Sequence, residues 1–439
     1  MAIINTRRQH PVGQGFFHTA SLCENGQKGL FYVYDCGAMA RYATQRKREI
    51  KNHLKRVGAR SRLDLLFISH VHADHLNGLE YLLNGTDGLH VDTIVLPLID
   101  VADRLIAFAR TAAEDPASAQ SDFYRDLVVD PGEALGRFQP RQIIFVQPGK
   151  RGDEAPDGEG RPLSPPDRPE VFGGDPGEGG MTWKLAGRGR IAQLELLTVQ
   201  GINGSPFTVM QLVIHDTLAI VSSTSQGEWL LAPFVDPTIT THRKRFLEEL
   251  ARQCQVSESQ LDVWLTVTAN VRTLVTTDLK FLKAAYEAVT GKHKLNITSL
   301  CLYSGPAPGS SKTLDRLHTG EFGCVHAYVT GPAIRIAWLA TGDAALEDTK
   351  RRSDFFGHYG QLMQEVATLT LPHHGSYYNF HVDILNTINP RFCVAAADSF
   401  GNYKHPGSHV VKAVFSLPAV LQVVTSSEPS VVSEQAILG

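Results

Sequence analysis

Six consecutive residues, His70-Val71-His72-Ala73-Asp74-His75, set three imidazoles and a carboxylate directly behind the apolar run Leu65-Leu66-Phe67-Ile68. The run reads as a buried strand, because it is short, continuous and built from large apolar side chains. A chain with this junction needs a strand that stops abruptly on a rigid sheet, so that the loop beyond it aims four polar groups at one point. Packing alone has no use for such a concentration. Neutral imidazole and carboxylate are the donors that suit zinc and its first-row neighbours. His70 and His72 are the candidate ligands of one ion, and Asp74 and His75 those of another, with Asp74 also placed to orient a nucleophile. Two ions about 3.5–4 Å apart clamp the attacking and leaving oxygens of a displacement and acidify the water between them.

Two further apolar runs end in the same kind of residue far downstream. Ile334-Arg335-Ile336-Ala337-Trp338-Leu339-Ala340 leads into Thr341-Gly342-Asp343, where glycine permits a sharp turn and Asp343 becomes a candidate bridging ligand. Leu369-Thr370-Leu371-Pro372 leads into His373-His374-Gly375-Ser376. A single Asp after a strand is most often a turn residue. Three such junctions in one chain favour a metal centre.

With these residues in place the chain resembles the metallo-β-lactamase superfamily and, within it, the nuclease-like domain of the ComEC DNA-uptake proteins. Five pieces follow the family's order: Val12-Gly13-Gln14-Gly15, Tyr34-Asp35-Cys36-Gly37, the histidine-rich motif, Thr341-Gly342-Asp343, and Pro372-His373-His374-Gly375-Ser376. Asn296-Ile297-Thr298-Ser299-Leu300 and Asn402-Tyr403-Lys404-His405-Pro406 are looser matches, and the similarity spans roughly residues 1–100 and 295–410. The resemblance implies an αββα sandwich and hydrolysis at two divalent ions, zinc first and manganese second. It implies that His70, His72, Asp74, His75, Asp343 and His373 hold the ions. His374 would then touch the scissile phosphate or protonate the leaving oxygen, and Asp35 would steady the ligand loop by fixing a histidine tautomer. Asn296, Ser299 and Ser376 are the implied hydrogen-bond donors to phosphate, and His405 is a further candidate acid. Two departures stand out. His72 occupies a position where the uptake proteins usually carry Asp. No residue matches the third histidine that the wider superfamily gives its first ion: Asn296 and Ser299 fall in its place, with His215, His293 and His326 as the substitutes to weigh.

No apolar run approaches the roughly 18 residues that span a bilayer. Residues 1–8 lack the apolar core of a secretory signal, and the six cysteines are scattered with no CxxC pair, so a cytoplasmic protein that does not engage a membrane is expected. The formal net charge of −3 gives no global attraction to nucleic acid. Locally the picture differs. Between Arg41 and Arg62 stand nine Lys and Arg residues and one acid, Glu49, while Ile50, Leu54 and Val57 recur at helical spacing. That predicts a helix with one packed and one basic face leading into the metal-bearing strand, ready to meet a phosphate backbone or simply to be solvated. His242-Arg243-Lys244-Arg245 and Lys350-Arg351-Arg352 admit the same two readings.

At 439 residues the chain exceeds one typical domain. Short apolar runs interleave with helical stretches, as in a mixed α and β protein, and the resemblance narrows this to the α+β class with a two-sheet sandwich. The expected core is 1–100 with 295–439, plus strands from about 190–225. An insertion covers 101–190. A helical insertion covers 236–292, read from helical patterns at 241–253 and 278–289. Residues 148–180 are about half Gly and Pro, and read as a disordered, mobile loop whose Arg151, Arg161 and Arg168 lie open to proteolysis.

Three functions compete. The first is a two-metal phosphodiesterase acting on nucleic acid, DNA ahead of RNA, under the control of a protein regulator or an activating protease. The second keeps the metals and changes the substrate to a small ester, thioester or cyclic phosphodiester, since fold and metal do not fix substrate. The third is a partner-dependent effector or binding module with an incomplete metal site. Salt separates the first two, because polymer binding weakens steeply with ionic strength and small-ester turnover does not. Metal content decides on the third.

Overall fold

Alternation along the strands sorts the chain into layers. The computed structural model describes residues 3–24, 29–58, 62–84, 88–149, 173–174, 182–187, 191–201, 204–224, 227–237, 240–289, 298–308, 315–319, 327–331, 334–400 and 404–438. The strand Phe31–Cys36 turns Phe31 and Val33 into one apolar cluster and Tyr32 and Tyr34 into a second. Ser299–Pro306 sends Leu300 and Leu302 into that same second cluster, and Cys301 and Tyr303 into a third. The shared cluster therefore lies between two sheets. The outer two are closed by helices, with Leu105, Phe108 and Leu127 on one side and Phe355, Leu385 and Val414 on the other. Helix, sheet, sheet and helix make four layers.

Among the described residues the larger sheet has 11 strands and the smaller has 9. Ile3–Gln9, Phe17–Glu24 and Phe31–Cys36 pair antiparallel. From Phe31–Cys36 the larger sheet continues in parallel through Arg62–Phe67, His90–Pro97 and Gln142–Gln147. A parallel step needs a crossover, and the helix Ala43–Val57 supplies the first. In the smaller sheet Ser299–Pro306 lies antiparallel to Ala337–Ala340, which runs parallel to Val366–Thr370, itself parallel to Phe392–Ala396. The three motif loops leave the carboxyl ends of Arg62–Phe67, Ala337–Ala340 and Val366–Thr370. Open sheets of this kind form their crevices at such ends. Leu300 N donates to Ser69 O at 2.7 Å and His373 N donates to Gly342 O at 2.9 Å, so the loops from both sheets meet.

The four helices Thr240–Cys254, Glu258–Leu265, Thr268–Thr276 and Leu279–Ala288 fill the interval expected as a helical insertion. Their Phe246, Leu250, Leu261, Val271 and Leu282 enter the cluster that already holds the helices Val101–Glu114 and Asp122–Val129, so they widen one helical layer and share its core. Arg243 ties them on, with Nε 3.0 Å from Asp103 Oδ1 and Nη2 2.5 Å from Asp100 Oδ2. The other small basic cluster is engaged as well, Arg351 with Asp236 at 2.6 Å and Lys350 with Asp354 at 2.9 Å. Most of 148–180, including Arg151, Arg161 and Arg168, lies outside the described residues. Among the described residues no helix is long and apolar enough to cross a membrane.

One ion pair sits inside the inter-sheet core. Arg7 Nε lies 2.6 Å from Glu434 Oε2, both side chains being buried, and the two belong to the paired strands Ile3–Gln9 and Val432–Leu438. Arg7 Nη1 donates to Ile336 O at 2.9 Å, and Thr368 Oγ1 donates to Glu434 Oε1 at 2.7 Å, which pins these strands of the larger sheet to the smaller. Arg7→Ala leaves the Glu434 charge buried and unpaired. A loss of about 3–5 kcal/mol in urea unfolding is expected, much of it recovered in the Arg7→Leu/Glu434→Leu double variant.

Candidate metal centre

Asp35 has φ of 57°, a left-handed conformation that is uncommon outside glycine. Its fully buried carboxylate accepts from Ser69 N at 2.6 Å, Ser69 Oγ at 2.6 Å and His75 Nδ1 at 2.7 Å. These bonds assign protons. With its hydroxyl hydrogen committed to Asp35, Ser69 Oγ can only accept from His70 Nδ1, 2.8 Å away. His70 and His75 are thereby both protonated on Nδ1 and present the Nε2 lone pair.

The turn Pro372–Gly375 does the same for two more rings, with His373 at φ 48° and His374 at φ 60°. His374 Nδ1 lies 2.7 Å from Ala396 O, which can only accept. His373 Nδ1 lies 3.0 Å from Asn379 Oδ1, and the amide nitrogen of Asn379 donates to Asp343 O at 2.9 Å, so the oxygen faces the ring. Both histidines carry the proton on Nδ1. His72 Nδ1 meets Asp74 Oδ1.

The freed nitrogens converge on two carboxylates. His70 Nε2 lies 3.5 Å and His75 Nε2 4.0 Å from the two oxygens of Asp343. His75 Nε2 lies 3.9 Å and His374 Nε2 3.6 Å from Asp74 Oδ2. Two groups result, His70–His75–Asp343 and Asp74–His75–His374, sharing His75, and within each the donor atoms lie within 4.8 Å of one another. Nε2 of His70, His72 and His75 and Oδ1 of Asp343 are buried and have no hydrogen-bond partner. Orphaned polar atoms of this kind are costly in a protein interior. Here those of His70, His75 and Asp343 converge, and the donor set could hold a metal ion, whereas His72, expected as a ligand, stands outside both groups with its Nδ1 on Asp74.

The charges agree with that arrangement. Burial opposes ionisation of Asp74, yet the imidazoles of His72 and His75 outweigh it and hold the carboxyl well below its usual range. Burial likewise opposes ionisation of Asp343, and His373 and His70 overcome it. For His75, burial pulls down while Asp35 and Asp74 pull up to about 9, so an ion taken at its Nε2 would displace a proton. Burial keeps His373 neutral down to about 4, against the pull of Asp343.

Several expected residues take other places. His374, expected to face substrate, enters the ligand group because the Ala396 carbonyl orients it. His373, expected as the ligand, lies 3.5 Å from Asp343 Oδ2, but its Nε2 accepts from Arg110 Nη2 at 3.2 Å. Ser299 Oγ accepts from Asp343 N at 3.0 Å and Ser376 Oγ accepts from Tyr378 N at 3.3 Å, so both brace motif turns. His405 lies with its ring 6.0 Å from His373 and 6.4 Å from His374. His215 is engaged elsewhere, 3.3 Å from Gln147 Nε2. Asn296, His293 and His326 lie outside the described residues.

Sequence reasoning missed Asn379, Arg110 and Glu114. Arg110 is buried on the helix Val101–Glu114, with Nε 3.1 Å from Glu114 Oε2, and Glu114 Oε1 accepts from Tyr286 Oη at 2.9 Å. Arg110 directly behind the apolar run Leu105-Ile106-Ala107-Phe108-Ala109 was the available signal. The space left over the site is ≈10 Å³, about one water molecule, walled by Met39, Asp74, Arg110, His373 and His374.

No protein-family model matches the chain, and a comparison with curated proteins gives no match. Asp35→Ala removes the partner that fixes His75 and, through Ser69, His70. Metal affinity is expected to fall by about 10–100-fold in a chelator competition assay.

Proposed function

We propose that the chain is a two-metal hydrolase of the metallo-β-lactamase type that cleaves phosphodiesters, with nucleic acid as its substrate and DNA ahead of RNA. The observation that carries this reading is the buried cluster of His70, Asp74, His75, Asp343 and His374, set where loops from both sheets meet, in which His75 has one free nitrogen and would serve one ion. Imidazole and carboxylate suit zinc first and manganese second. Ions held there supply Lewis acidity at a phosphoryl oxygen and a nucleophile at neutral pH.

The chain's own residues do the rest. Asp74 offers Oδ2 to the ligand group while Oδ1 is held by His72, so its orientation is fixed from two sides. Asp343 is held by Ser299 through its backbone and faces His70 and His75. His405 is a poor general acid, because burial and the neighbouring His373 and His374 lower its pKa to about 3 and leave it as neutral imidazole at neutral pH.

Support for a polyanion comes from the helix Ala43–Val57. Arg46 turns inward, donating to Ala38 O at 2.8 Å and to Asn77 Oδ1 at 2.6 Å. Lys47, Lys51 and Lys55 are exposed at four-residue intervals, about 6 Å apart along the axis. Met39, on the approach to this helix, walls the cleft. The ≈10 Å³ of free space is less than a nucleic acid or a small ester needs, so the cleft must widen for either substrate. The same closure supports control by a protein regulator or protease that opens the cleft.

The test is digestion of single- and double-stranded DNA by the purified full chain with zinc, manganese or chelator, beside Asp74→Ala. Metal-dependent cleavage reduced more than about 100-fold in the variant is expected, because loss of supporting partners alone costs 10–100-fold. Absence of cleavage from protein that holds its ions would overturn the reading. Replacing Lys47, Lys51 and Lys55 by Gln should flatten the log–log salt dependence of duplex binding by roughly 2.7, about 0.9 per phosphate contact. Turnover of bis(p-nitrophenyl) phosphate should stay unchanged in that triple variant.

A further inference from the structure

Among the described residues that wall the cleft, Arg110 is the only Lys or Arg, and it shares that wall with the carboxylates of Asp74, Glu114 and Asp115. A guanidinium has five N–H donors. Hydrogen bonds use two of them, Nε to Glu114 Oε2 at 3.1 Å and Nη2 to His373 Nε2 at 3.2 Å, which leaves three, two of them on Nη1. The Nε edge is anchored twice over, since Tyr286 Oη holds the far oxygen of Glu114 at 2.9 Å. The Nη edge therefore faces the cleft, resting on a neutral nitrogen acceptor.

That resting partner is weak for a buried cation. Charge-assisted hydrogen bonds to an anionic oxygen are roughly twice as strong as those to neutral acceptors, and the guanidinium fork matches phosphate with two parallel bonds. An anionic oxygen that entered the cleft beside His374 and Asp74 would displace His373 from Arg110.

We propose that Arg110 is a substrate-binding residue whose Nη edge takes the non-bridging oxygens of the phosphodiester, aimed by Glu114 and by Tyr286. Tyr286 comes from the helix Leu279–Ala288 and is a positioning residue, so the helical segment 240–289 contributes to the site as well as to the core. The proposal rests on the phosphodiester reading above and adds the group that recognises the substrate's charge.

The experiment uses the full chain loaded with zinc, with inorganic phosphate as the probe. Zinc content and the phosphate dissociation constant are measured for the parent, Arg110→Gln, Arg110→Lys and Tyr286→Phe. Expected are equal zinc contents, a loss of phosphate affinity of about 10–100-fold in Arg110→Gln, partial recovery in Arg110→Lys, and a loss of about 3–10-fold in Tyr286→Phe. With bis(p-nitrophenyl) phosphate, Arg110→Gln should raise KM more than it lowers kcat. Unchanged phosphate affinity in Arg110→Gln at full zinc content would overturn the proposal. So would zinc loss in Arg110→Gln and Arg110→Lys alike, which would make Arg110 a support for the ligands. A parent chain that binds phosphate through Arg110 yet cleaves no diester would remove the functional reading and leave this one standing.

Discussion

Burying the Asp35 carboxylate carries a desolvation cost that only hydrogen-bond donors can offset, and the three it receives come from Ser69 and His75. Those donors are available only when the loop after Arg62–Phe67 lies across the end of Phe31–Cys36. The same bonds set the protons of His70 and His75 and turn their Nε2 atoms inward. The inward turn of these two rings is thus a by-product of satisfying one acid. The close passage of the chains follows from it. A Cβ at Gly37 would come within 2.5 Å of Asp74 O, and one at Gly15 within 2.4 Å of Ala38 Cα, so glycine is required where the supporting turns nest against the loop.

The second sheet is fastened to this arrangement at the site itself. Tyr34 Oη donates to Leu300 O at 2.6 Å, Leu300 N to Ser69 O at 2.7 Å, and Asp343 N to Ser299 Oγ at 3.0 Å. Asp343 therefore faces His70 only because Ser299–Pro306 is docked on the larger sheet. The buried Arg7–Glu434 pair holds the same two sheets together elsewhere and adds registry to what would otherwise be an apolar contact free to slide.

The strand-to-loop junctions could be read from the sequence, because a run of apolar residues that ends in His and Asp has few physical explanations. What could not be read were the partners that decide each ring's direction. His373 and His374 are adjacent and chemically identical, and their roles separate only through Ala396 O and Asn379 Oδ1. Ser299 and Ser376 could be singled out by type, but nothing in the sequence said that their oxygens would accept from the backbone amides of Asp343 and Tyr378. Arg110 belongs to no motif and reaches the site through the packing of its helix. The periodicity of 240–289 indicated helices but not that Phe246 and Leu282 would complete an existing core.

The centre is assembled from opposite ends of the chain: His70, Asp74 and His75 lie in its first fifth, Asp343 and His374 in its last quarter. At synthesis rates of about 5–20 residues per second, the interval between His75 and Asp343 takes on the order of half a minute to emerge. During that time the histidine loop has neither of its distant partners, and the strand Ser299–Pro306 that would seat them does not yet exist. A chain built this way cannot bring the cluster together until the strand Ser299–Pro306 and the turns bearing Asp343 and His374 have been made. The order in which its parts are made thus sets a delay in the assembly of the site, imposed by topology alone.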